Sequence, residues 1–504
     1  MKPSTVILLT IALPWIGALL VALLGKRPNL RETASILTSI GLFAIVCTLV
    51  PKLMNGQRPA VDLLEIVPGV ILAFEVEPLG MLFALVASGL WIVTTLYAIG
   101  YMRGHNEVNQ TRFFVCFAIA ISSAIGIAFS KNLFTLFIFY EVLTFSTYPL
   151  VTHHGNDKAK KAGRIYMGIL LTTSMGFMLL GIVWVFFLAG TVNFEDGGLL
   201  NGLISNGQLK LSNTQIGILV ALFAFGTGKA ALMPFHRWLP AAMVAPTPVS
   251  ALLHAVAVVK AGVFTVMKIL VYTFGIELLT TTGSSVWLMY VAAATIVVTS
   301  LVALTKDNLK ARLAYSTISQ LSYIVLGAAL ATSASVVGGS LHILMHAFGK
   351  ITLFFCAGAI YVATHKTDIS DMDGLGRKMP ITMFAFFVGS LCVIGLPPTG
   401  GSWSKWYLIM GTQKAEHMVL SGVLMLSSLL SIGYLMPIVA RAFFAPSPEQ
   451  KGDPATDNFH LEKVEMKEAP FLCVFPLCIT AIGCVLLFFF SEPIYQLLLG
   501  MIRP

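Results

Sequence analysis

Four ionisable residues lie in the middle of otherwise apolar stretches of this sequence: Glu141, Lys229, Lys260 and Lys405. A charged side chain at the centre of a bilayer costs about 2.5–3.5 kcal/mol on insertion scales, so such residues are rare and typically mark ion or proton pathways. Four of them in separate stretches therefore predict a membrane protein that moves ions. The alternative is that each of these charges has only a structural role. It would then be paired with an opposite charge, or a long side chain would carry it to the membrane–water interface.

Three further ionisable side chains share one helical face. His342, His346 and Lys350 are spaced at i, i+4 and i+8, which places them in a row. Two histidines at i and i+4 can bind zinc, but the glutamate of the HExxH motif is absent and Lys350 would repel a cation. A proton path is therefore the favoured interpretation, and no metal site is predicted. His254 stands six residues before Lys260, and it is either a proton relay at another depth or a histidine satisfied in the core.

A stretch rich in hydroxyl groups precedes these histidines. Its polar members are Tyr315, Ser316, Thr317, Ser319, Gln320, Ser322 and Tyr323. Such side chains can hold water in a channel, or they can simply form hydrogen bonds between helices.

Two of the lysines coincide with residues that interrupt helices. Gly226 and Gly228 precede Lys229 and Pro234 follows it, while residues 395–404, just before Lys405, contain two prolines and three glycines. Broken backbone is tolerated at membrane depth only where protein or a water-filled cavity satisfies it. The coincidence predicts ion sites at two broken helices, although glycine and proline are also common in membrane helices without any such role.

The elements that position these residues are predicted to be transmembrane helices. The chain has 504 residues, of which 57% are hydrophobic and 11% are charged, a composition typical of a membrane protein. Fourteen apolar stretches have about the length that a helix needs to cross a bilayer. They lie near residues 5–25, 33–54, 78–100, 111–129, 131–152, 163–190, 215–234, 247–274, 285–304, 308–331, 335–363, 380–410, 417–440 and 468–499.

The order of these spans carries further information. The seventh and twelfth, which contain the two breaks, are five apart and so cross the membrane in opposite directions, as in inverted repeats. The first span is too long for the apolar region of a signal peptide and lacks a clear cleavage site, so we expect it to be retained. Residues 55–77 are expected to hold a short external hairpin, and residues 441–467 a polar loop.

Loop charge predicts the orientation. Most of the 32 lysine and arginine residues fall in the odd-numbered loops, and basic residues collect in cytoplasmic loops. Both termini are therefore expected outside.

The excess of basic residues over the 23 acidic residues does not indicate a nucleic-acid partner, because basic runs interleaved with aromatic residues are missing. The seven cysteines lie in apolar stretches without a CxxC pair, and no cofactor motif has a suitable context, so no cofactor is predicted.

One long motif resembles a known family. The stretch from Lys229 through residues 233–240 (MPFHRWLP) to residues 245–255 (APTPVSALLHA) is similar to the proton-translocating antiporter-like subunits. These membrane subunits are shared by respiratory complex I, membrane-bound hydrogenases and the Mrp multisubunit cation/proton antiporters. The resemblance covers nearly the whole chain.

The resemblance implies a fold and a set of site residues. The fold is an all-α polytopic membrane protein of about fourteen transmembrane helices with two inverted five-helix repeats, each containing a broken helix. Residues 111–274 and 285–440 would be the repeats, 1–110 the three preceding spans with the hairpin, and 441–504 the polar loop and last span. The family's paired glutamate and lysine, eighth-span lysine and twelfth-span charge correspond to Glu141, Lys229, Lys260 and Lys405. Its eleventh-span histidine corresponds to His346, with His342 as its companion.

The resemblance also implies a function. Lysine rather than glutamate at position 405 departs from one class of complex I subunit, and the length is most similar to the D-type subunit of the Mrp antiporters. We expect a subunit of a bacterial or archaeal cell-membrane complex that exchanges monovalent cations for protons, in contact with lipid and with A- and C-type sister subunits. Protons are the expected ion of this chain, and the passage of sodium stays open. No residue that makes or breaks covalent bonds is implied, so the chain is expected to be a transporter subunit.

Three alternatives remain at this point. The chain could be the pumping subunit of a redox-driven complex I-like enzyme or hydrogenase, in which case it would form part of a translocase. It could be a scaffold with an inactive ion path. A carrier of organic solutes is the third alternative, although the sequence shows no site suited to a large solute.

Overall fold

Backbone hydrogen bonding explains why the apolar stretches are helical, because lipid offers no partner for an exposed N–H or C=O group. The computed structural model describes residues 2–446 and 466–502. Eleven helices within these ranges are long and apolar enough to cross a membrane. They are the first span Pro3–Leu23, the second Pro28–Met54, the third Pro78–Gly104, the fourth Gln110–Ala128, the fifth Leu133–Val151, the sixth Asp157–Ala189, the eighth Thr247–Phe274, the ninth Val286–Thr305, the eleventh Ser333–Thr364, the thirteenth Met418–Phe444 and the fourteenth Phe471–Phe489.

The three other expected spans are also helical but shorter, more polar or broken. The seventh is Asn213–Gly226, the tenth is Leu309–Ala329, and the twelfth consists of Pro380–Ile394 followed by Gly401–Lys414. The expected architecture of about fourteen transmembrane helices is thus confirmed. The division of the chain into four parts stays a prediction, and residues 447–465 of the expected polar loop lie outside the described residues.

Short elements complete the described chain. The α-helical pieces outside the spans are Leu199–Ser205, Trp238–Ala241, Ile276–Thr282, Leu375–Lys378 and Glu492–Leu499. Single 3₁₀ turns occur at Gly228–Ala230, Ala242–Val244 and Ile369–Asp371. Wider π-helical turns interrupt the sixth span at Ser174–Met178 and the eighth at Leu252–Val256 and Leu270–Phe274.

A β-hairpin follows the second span, within the loop where a hairpin was expected. Strand β1, Ala60–Val67, pairs antiparallel with β2, Val70–Glu75. The hairpin is joined to the main bundle at the start of the fifth span, because the Asn132 side chain donates to Ile71 O at 2.6 Å. We call this side of the membrane the hairpin face.

Both predicted breaks are present, and each has a local cause. The seventh span ends at Gly226 and continues as the 3₁₀ turn with Lys229 at its centre. The first half of the twelfth span ends at Ile394, where Gly395 has φ +88°, a left-handed conformation that side-chain-bearing residues rarely adopt. The helix resumes at Gly401, so Lys405 lies in the first turns of the second half.

The eighth and eleventh spans form the centre of the bundle. The most apolar window of the eighth is completely buried within the chain, and that of the eleventh is 94% buried. The corresponding value is 39% for the first and thirteenth spans, whose exposed apolar side chains face outward. Five of the residues with expected chemistry therefore lie on the two innermost helices, whereas Glu141, Lys229 and Lys405 lie on the fifth, seventh and twelfth spans. The five are His254, Lys260, His342, His346 and Lys350.

Candidate functional site

Lys229 crosses from the break in the seventh span to the fifth span. Its Nζ donates hydrogen bonds to Tyr140 O at 2.8 Å and to Thr144 Oγ1 at 2.6 Å, and lies 3.2 Å from the centre of the Tyr140 ring. The Lys229 backbone N–H donates to the Tyr140 hydroxyl at 3.0 Å, and Trp238 Nε1 donates to Gly228 O at 2.9 Å. Side chains from other segments thus satisfy backbone groups that the broken helix leaves free.

Glu141 occupies the same turn of the fifth span. Its side chain is buried, and neither carboxylate oxygen has a hydrogen-bond partner among the described residues. No nitrogen–oxygen distance of 4.0 Å or less joins Glu141 to Lys229 in the described chain, because Lys229 binds the neighbouring Tyr140 and Thr144 instead. The structure therefore brings the Lys229 ammonium group to the helical turn that carries Glu141, but the two side chains form no direct ion pair.

The break in the seventh span packs against the backbone of the eighth span. A Cβ atom placed on Gly262 would lie 2.3 Å from the Lys229 carbonyl carbon and from Ala230 N. Only glycine permits this approach. The turn that carries Lys229 therefore packs against the eighth span at a position two residues after Lys260. The break in the seventh span is thereby held against the backbone of the eighth span.

A row of polar side chains, joined by hydrogen bonds and one ring-stacking contact, starts at Lys260. Lys260 Nζ forms a hydrogen bond with His346 Nδ1. The His346 ring stacks on that of His342 with centroids 5.7 Å apart. His342 in turn shares hydrogen bonds with Ser404 Oγ at 2.8 Å and with Gln320 Oε1 at 3.1 Å. The row connects the eighth, eleventh and twelfth spans.

Lys405 lies at the far end of this row. Its Nζ donates to Ile394 O at 2.8 Å, across the break, and to Ser428 Oγ at 3.0 Å. The ammonium also lies 4.8 Å from the centre of the Tyr323 ring, which stacks on His342 at 5.5 Å. Lys405 is thus in the same cluster as the histidines, with Tyr323 as the shared contact.

Lys350 and His254 lie off the main row. Lys350 Nζ points towards the tenth span, where it donates to Ser316 Oγ at 2.7 Å and Leu313 O at 3.3 Å. The His254 ring packs on Phe354 with centroids 4.9 Å apart, and neither ring nitrogen has a hydrogen-bond partner in the described chain. His254 is therefore buried but unsatisfied, unlike a histidine that merely completes a core.

The hydroxyl-rich stretch of the tenth span forms hydrogen bonds between helices. Ser319 Oγ lies 2.9 Å from Ser300 Oγ in the ninth span and 3.3 Å from Ser427 Oγ in the thirteenth. Ser316 Oγ, which accepts from Lys350, is also 2.8 Å from the Tyr434 hydroxyl. These bonds place a polar layer next to Lys350 and Lys405.

Sequence reasoning missed a buried ion pair between the third and eighth spans. Lys268 Nζ lies 3.2 Å from Glu77 Oε1 and donates to Ser130 O at 2.8 Å, and the Tyr272 hydroxyl donates to Glu77 Oε2 at 2.8 Å. The available signal was the spacing of Lys268 at i+8 from Lys260, which puts both lysines on one face of the eighth span. This pair closes the bundle towards the hairpin face.

A second missed group lies in the loops of the opposite face. Glu107 Oε2 is 3.8 Å from both His153 Nε2 and His154 Nδ1, and Oε1 is 4.0 Å from His105 Nε2. Burial lowers the pKa of His153 to about 4, and the nearby charges of Arg112 and His154 lower it further. No group of three or more His, Cys, Asp or Glu residues in the described ranges is arranged to hold a metal ion.

The sequence and structure are similar to those of known membrane subunits. A chain of Desulforudis audaxviator, NADH-quinone oxidoreductase subunit N, is 33% identical over 430 residues, covering 83% of this chain and 82% of that one. Subunit L of the same kind of enzyme from Rickettsia bellii is 28% identical and covers 99% of this chain and 76% of that one. The chain covers only 49% of the length of another relative, NAD(P)H-quinone oxidoreductase chain 5 of Synechocystis.

Two solved structures share the fold. A chain in the structure of the Mrp complex from Dietzia superposes with a TM-score of 0.83 at 20% identity, covering 99% of this chain and 97% of that one. A chain of the archaeal membrane-bound sulfane sulfur reductase gives a TM-score of 0.84 at 24% identity with the same coverage. The model of the family described as NADH:quinone oxidoreductase/Mrp antiporter, transmembrane, matches residues 130–431, which include the two breaks and the polar row. This chain is an integral multi-pass membrane protein that belongs to the NADH:quinone oxidoreductase/Mrp antiporter family.

Proposed function

We propose that the chain is a proton-translocating antiporter-like subunit of a membrane complex of the Mrp or complex I type. The observation that carries this proposal is the continuous contact of Lys260, His346, His342 and Ser404 with the cluster around Lys405. Lysine and histidine can each gain and lose a proton, and a histidine can accept at one ring nitrogen while it releases from the other. A row of such groups across buried helices is suited to protons.

The proposed route has two ends. Protons enter beside the polar groups of the tenth and eleventh spans, pass along Lys260 and His346, and reach a gate at Lys405 or Lys229. Glu141 acts on the gate through its charge, because it lies on the helical turn that binds Lys229. A change in that charge would alter how tightly the lysine holds its proton.

The finer assignment that we propose is an Mrp-type antiporter that exchanges sodium or another monovalent cation for protons. Lys405, in place of the glutamate found in one class of complex I subunit, supports this assignment. In this proposal the membrane is that of a bacterial or archaeal cell, both termini and the hairpin face outward, and A- and C-type subunits cover exposed apolar faces. The bias of basic residues towards the loops opposite the hairpin supports the orientation.

A redox-driven complex is the second candidate, and the 33% identity to NADH-quinone oxidoreductase subunit N favours it. Inverted membrane vesicles that contain the complete complex distinguish the two. An Mrp-type complex should dissipate an imposed pH gradient when sodium chloride is added and should not respond to an electron donor. Acidification of the vesicles driven by NADH or another donor, without a response to sodium, would contradict the antiporter assignment.

A further inference from the structure

An apolar cavity of about 440 Å³ lies between the second, third, eleventh and fourteenth spans. Of the described residues that line it, Thr480 alone carries a polar side chain, and its hydroxyl donates to Leu477 O of its own helix at 3.0 Å. A buried water molecule needs two to four polar partners, which these walls do not offer. The cavity is therefore suited to an apolar occupant.

The cavity continues sideways into the membrane. Phe348, Ile479 and Leu487 line both this cavity and a neighbouring one of about 520 Å³. The walls of the neighbouring cavity include Ile482 and Leu486, whose side chains are exposed on the outer surface of the fourteenth span. An occupant can therefore enter from the hydrocarbon core of the bilayer.

The length of the cavity matches one leaflet of a bilayer. Along the third span the lining runs from Leu82 to Val93, or about 16 Å at 1.5 Å per residue. The hydrocarbon core of a bilayer is about 30 Å thick, so each leaflet contributes about 15 Å. The third span begins at Pro78 on the hairpin face, and Leu497, in the short helix after the fourteenth span on the same face, also lines the cavity. The cavity therefore spans the leaflet on the hairpin face.

Two glycines keep this space open. A Cβ atom on Gly89 would lie 3.2 Å from the Phe43 ring, and one on Gly483 would lie 2.5 Å from the Phe348 ring. Each glycine thus lets an aromatic ring lie close to a neighbouring helix, and the space beside the ring stays free. Alanine would strengthen either helix, so the packing around the cavity explains why glycine stands at these positions.

The dimensions favour a flexible chain over a protein helix. An α-helix is 10–12 Å wide with its side chains, so a single turn would take up roughly 420 Å³ or more, which is nearly the whole volume. An empty cavity is also unfavourable, because the side chains around it lose dispersion contacts on one side. An acyl chain is narrow and apolar, and the adjoining bilayer supplies it.

We propose that this cavity binds one acyl chain of a phospholipid from the leaflet on the hairpin face. The carbonyl end of the chain lies near Leu497, and the methyl end lies near Val93 at the midplane of the membrane. The chain packs against Leu344 and Phe348, on the side of the eleventh span that faces away from His342. It therefore takes part in the packing that holds this central helix in place.

Photo-cross-linking in the complete complex tests the site without any substitution. The complex is reconstituted into phosphatidylcholine vesicles with one of two probes, a phosphatidylcholine that carries a diazirine near either the carbonyl end or the methyl end of one acyl chain. Peptide mass spectrometry then locates the labelled residues. We expect the methyl-end probe to label Leu90 and Val93, and the carbonyl-end probe to label Leu82 and Leu497. These four side chains are at most 9% exposed, so lipids on the outer surface cannot reach them.

The depth of labelling decides the outcome. Labelling of the four buried positions in the expected order would support the site. Labelling confined to exposed side chains would overturn it, as would the same pattern with both probes or the reverse order of depth.

The variant Ile479→Trp should narrow the passage where the two cavities meet, because it places a larger ring there. Overpacking of this kind should lower the labelling of the four buried positions by roughly tenfold. Ile16→Trp makes the same exchange at an exposed position of the first span and should leave the labelling at the level of the parent. Undiminished labelling in an assembled Ile479→Trp complex would count against the site.

Competition identifies the source of the chain. The detergent-solubilised complex is labelled with the methyl-end probe in the presence of an excess of unlabelled phosphatidylcholine or of an isoprenoid quinone. We expect the phospholipid to remove the labelling of Leu90 and Val93 and the quinone to leave most of it. A quinone that competes at least as well as the phospholipid would contradict a phospholipid site.

Discussion

At the scale of single residues, the lysines in the breaks are bound by neutral acceptors. Lys229 binds a carbonyl and the Thr144 hydroxyl, and Lys405 binds a carbonyl and the Ser428 hydroxyl. A hydroxyl can accept from an ammonium group and can donate to a neutral amine, so these partners suit both protonation states of the lysine. A carboxylate in direct contact would favour only the charged state.

The variant Thr144→Val removes the hydroxyl that binds Lys229 Nζ while it keeps the size of the side chain. A hydrogen bond to a charged group contributes about 1.5–3 kcal/mol, so we expect proton movement to fall by roughly tenfold or more. The measurement is the initial rate of dye quenching in vesicles with equal amounts of assembled complex. Thr144→Ser should retain activity, and equal rates for Val and Ser would show that the hydroxyl has no part in transport.

His153 gives a pH-dependent contribution to stability. Its folded-state pKa of about 4 is below the unfolded value of about 6.5, so the stabilisation is complete above pH 6.5 and is lost as the pH falls towards 4. The melting temperature of the detergent-solubilised protein should therefore drop between pH 7 and pH 5 by more in the parent than in His153→Gln. Equal drops in both proteins would contradict a buried neutral histidine.

At the scale of elements, the positions of the helices could be predicted more readily than their contacts. Apolar runs of about twenty residues predict spans because lipid forces backbone groups to bond within a helix. The glycines and prolines around Lys229 and Lys405 predict the breaks for the same reason. The sequence did not reveal that Lys229 binds Tyr140 and Thr144 rather than Glu141, because residues of one helical turn differ by only a few ångströms in their distance from a neighbouring span.

The close packing of the seventh and eighth spans depends on Gly262. In Gly262→Ala the new methyl group would meet backbone atoms of residues 229 and 230 at 2.3 Å, so the turn that carries Lys229 must move away. We expect transport to fall strongly even where assembly persists, as judged by co-purification of the partner subunits. Gly168→Ala is the matched control, because a Cβ there meets no atom within 4 Å. Equal activities of the two variants would count against the packing argument.

The ion pair of Glu77 and Lys268 should hold the third and eighth spans together. Removal of one partner of a buried pair costs about 3–5 kcal/mol, so Glu77→Ala should lower the melting temperature clearly. Asp62→Ala, which breaks the exposed pair with Lys131, should cost only about 0–1 kcal/mol. Equal losses for the two variants, measured by thermal unfolding in detergent, would contradict a stabilising role specific to the buried pair.

At the scale of the whole molecule, function depends on groups that come together only in the folded bundle. Glu107 and His154 lie in different loops and Lys310 lies at the start of the tenth span, so no local pattern predicts the cavity of about 220 Å³ that they line together. The row from Lys260 to Lys405 was predicted residue by residue, whereas the order of its contacts required the packing of three spans. Sequence periodicity records which face of a helix is polar, and tertiary packing decides what that face meets.

The central claim is that buried lysines in the breaks carry transported protons. The most direct test is proton movement in inverted vesicles with the complete complex, comparing Lys229→Ala with Lys210→Ala, which removes the same charge from an exposed loop before the seventh span. We predict that Lys210→Ala keeps the parent rate and that Lys229→Ala loses transport while the complex stays assembled. Parent-like transport in an assembled Lys229→Ala complex would contradict the claim.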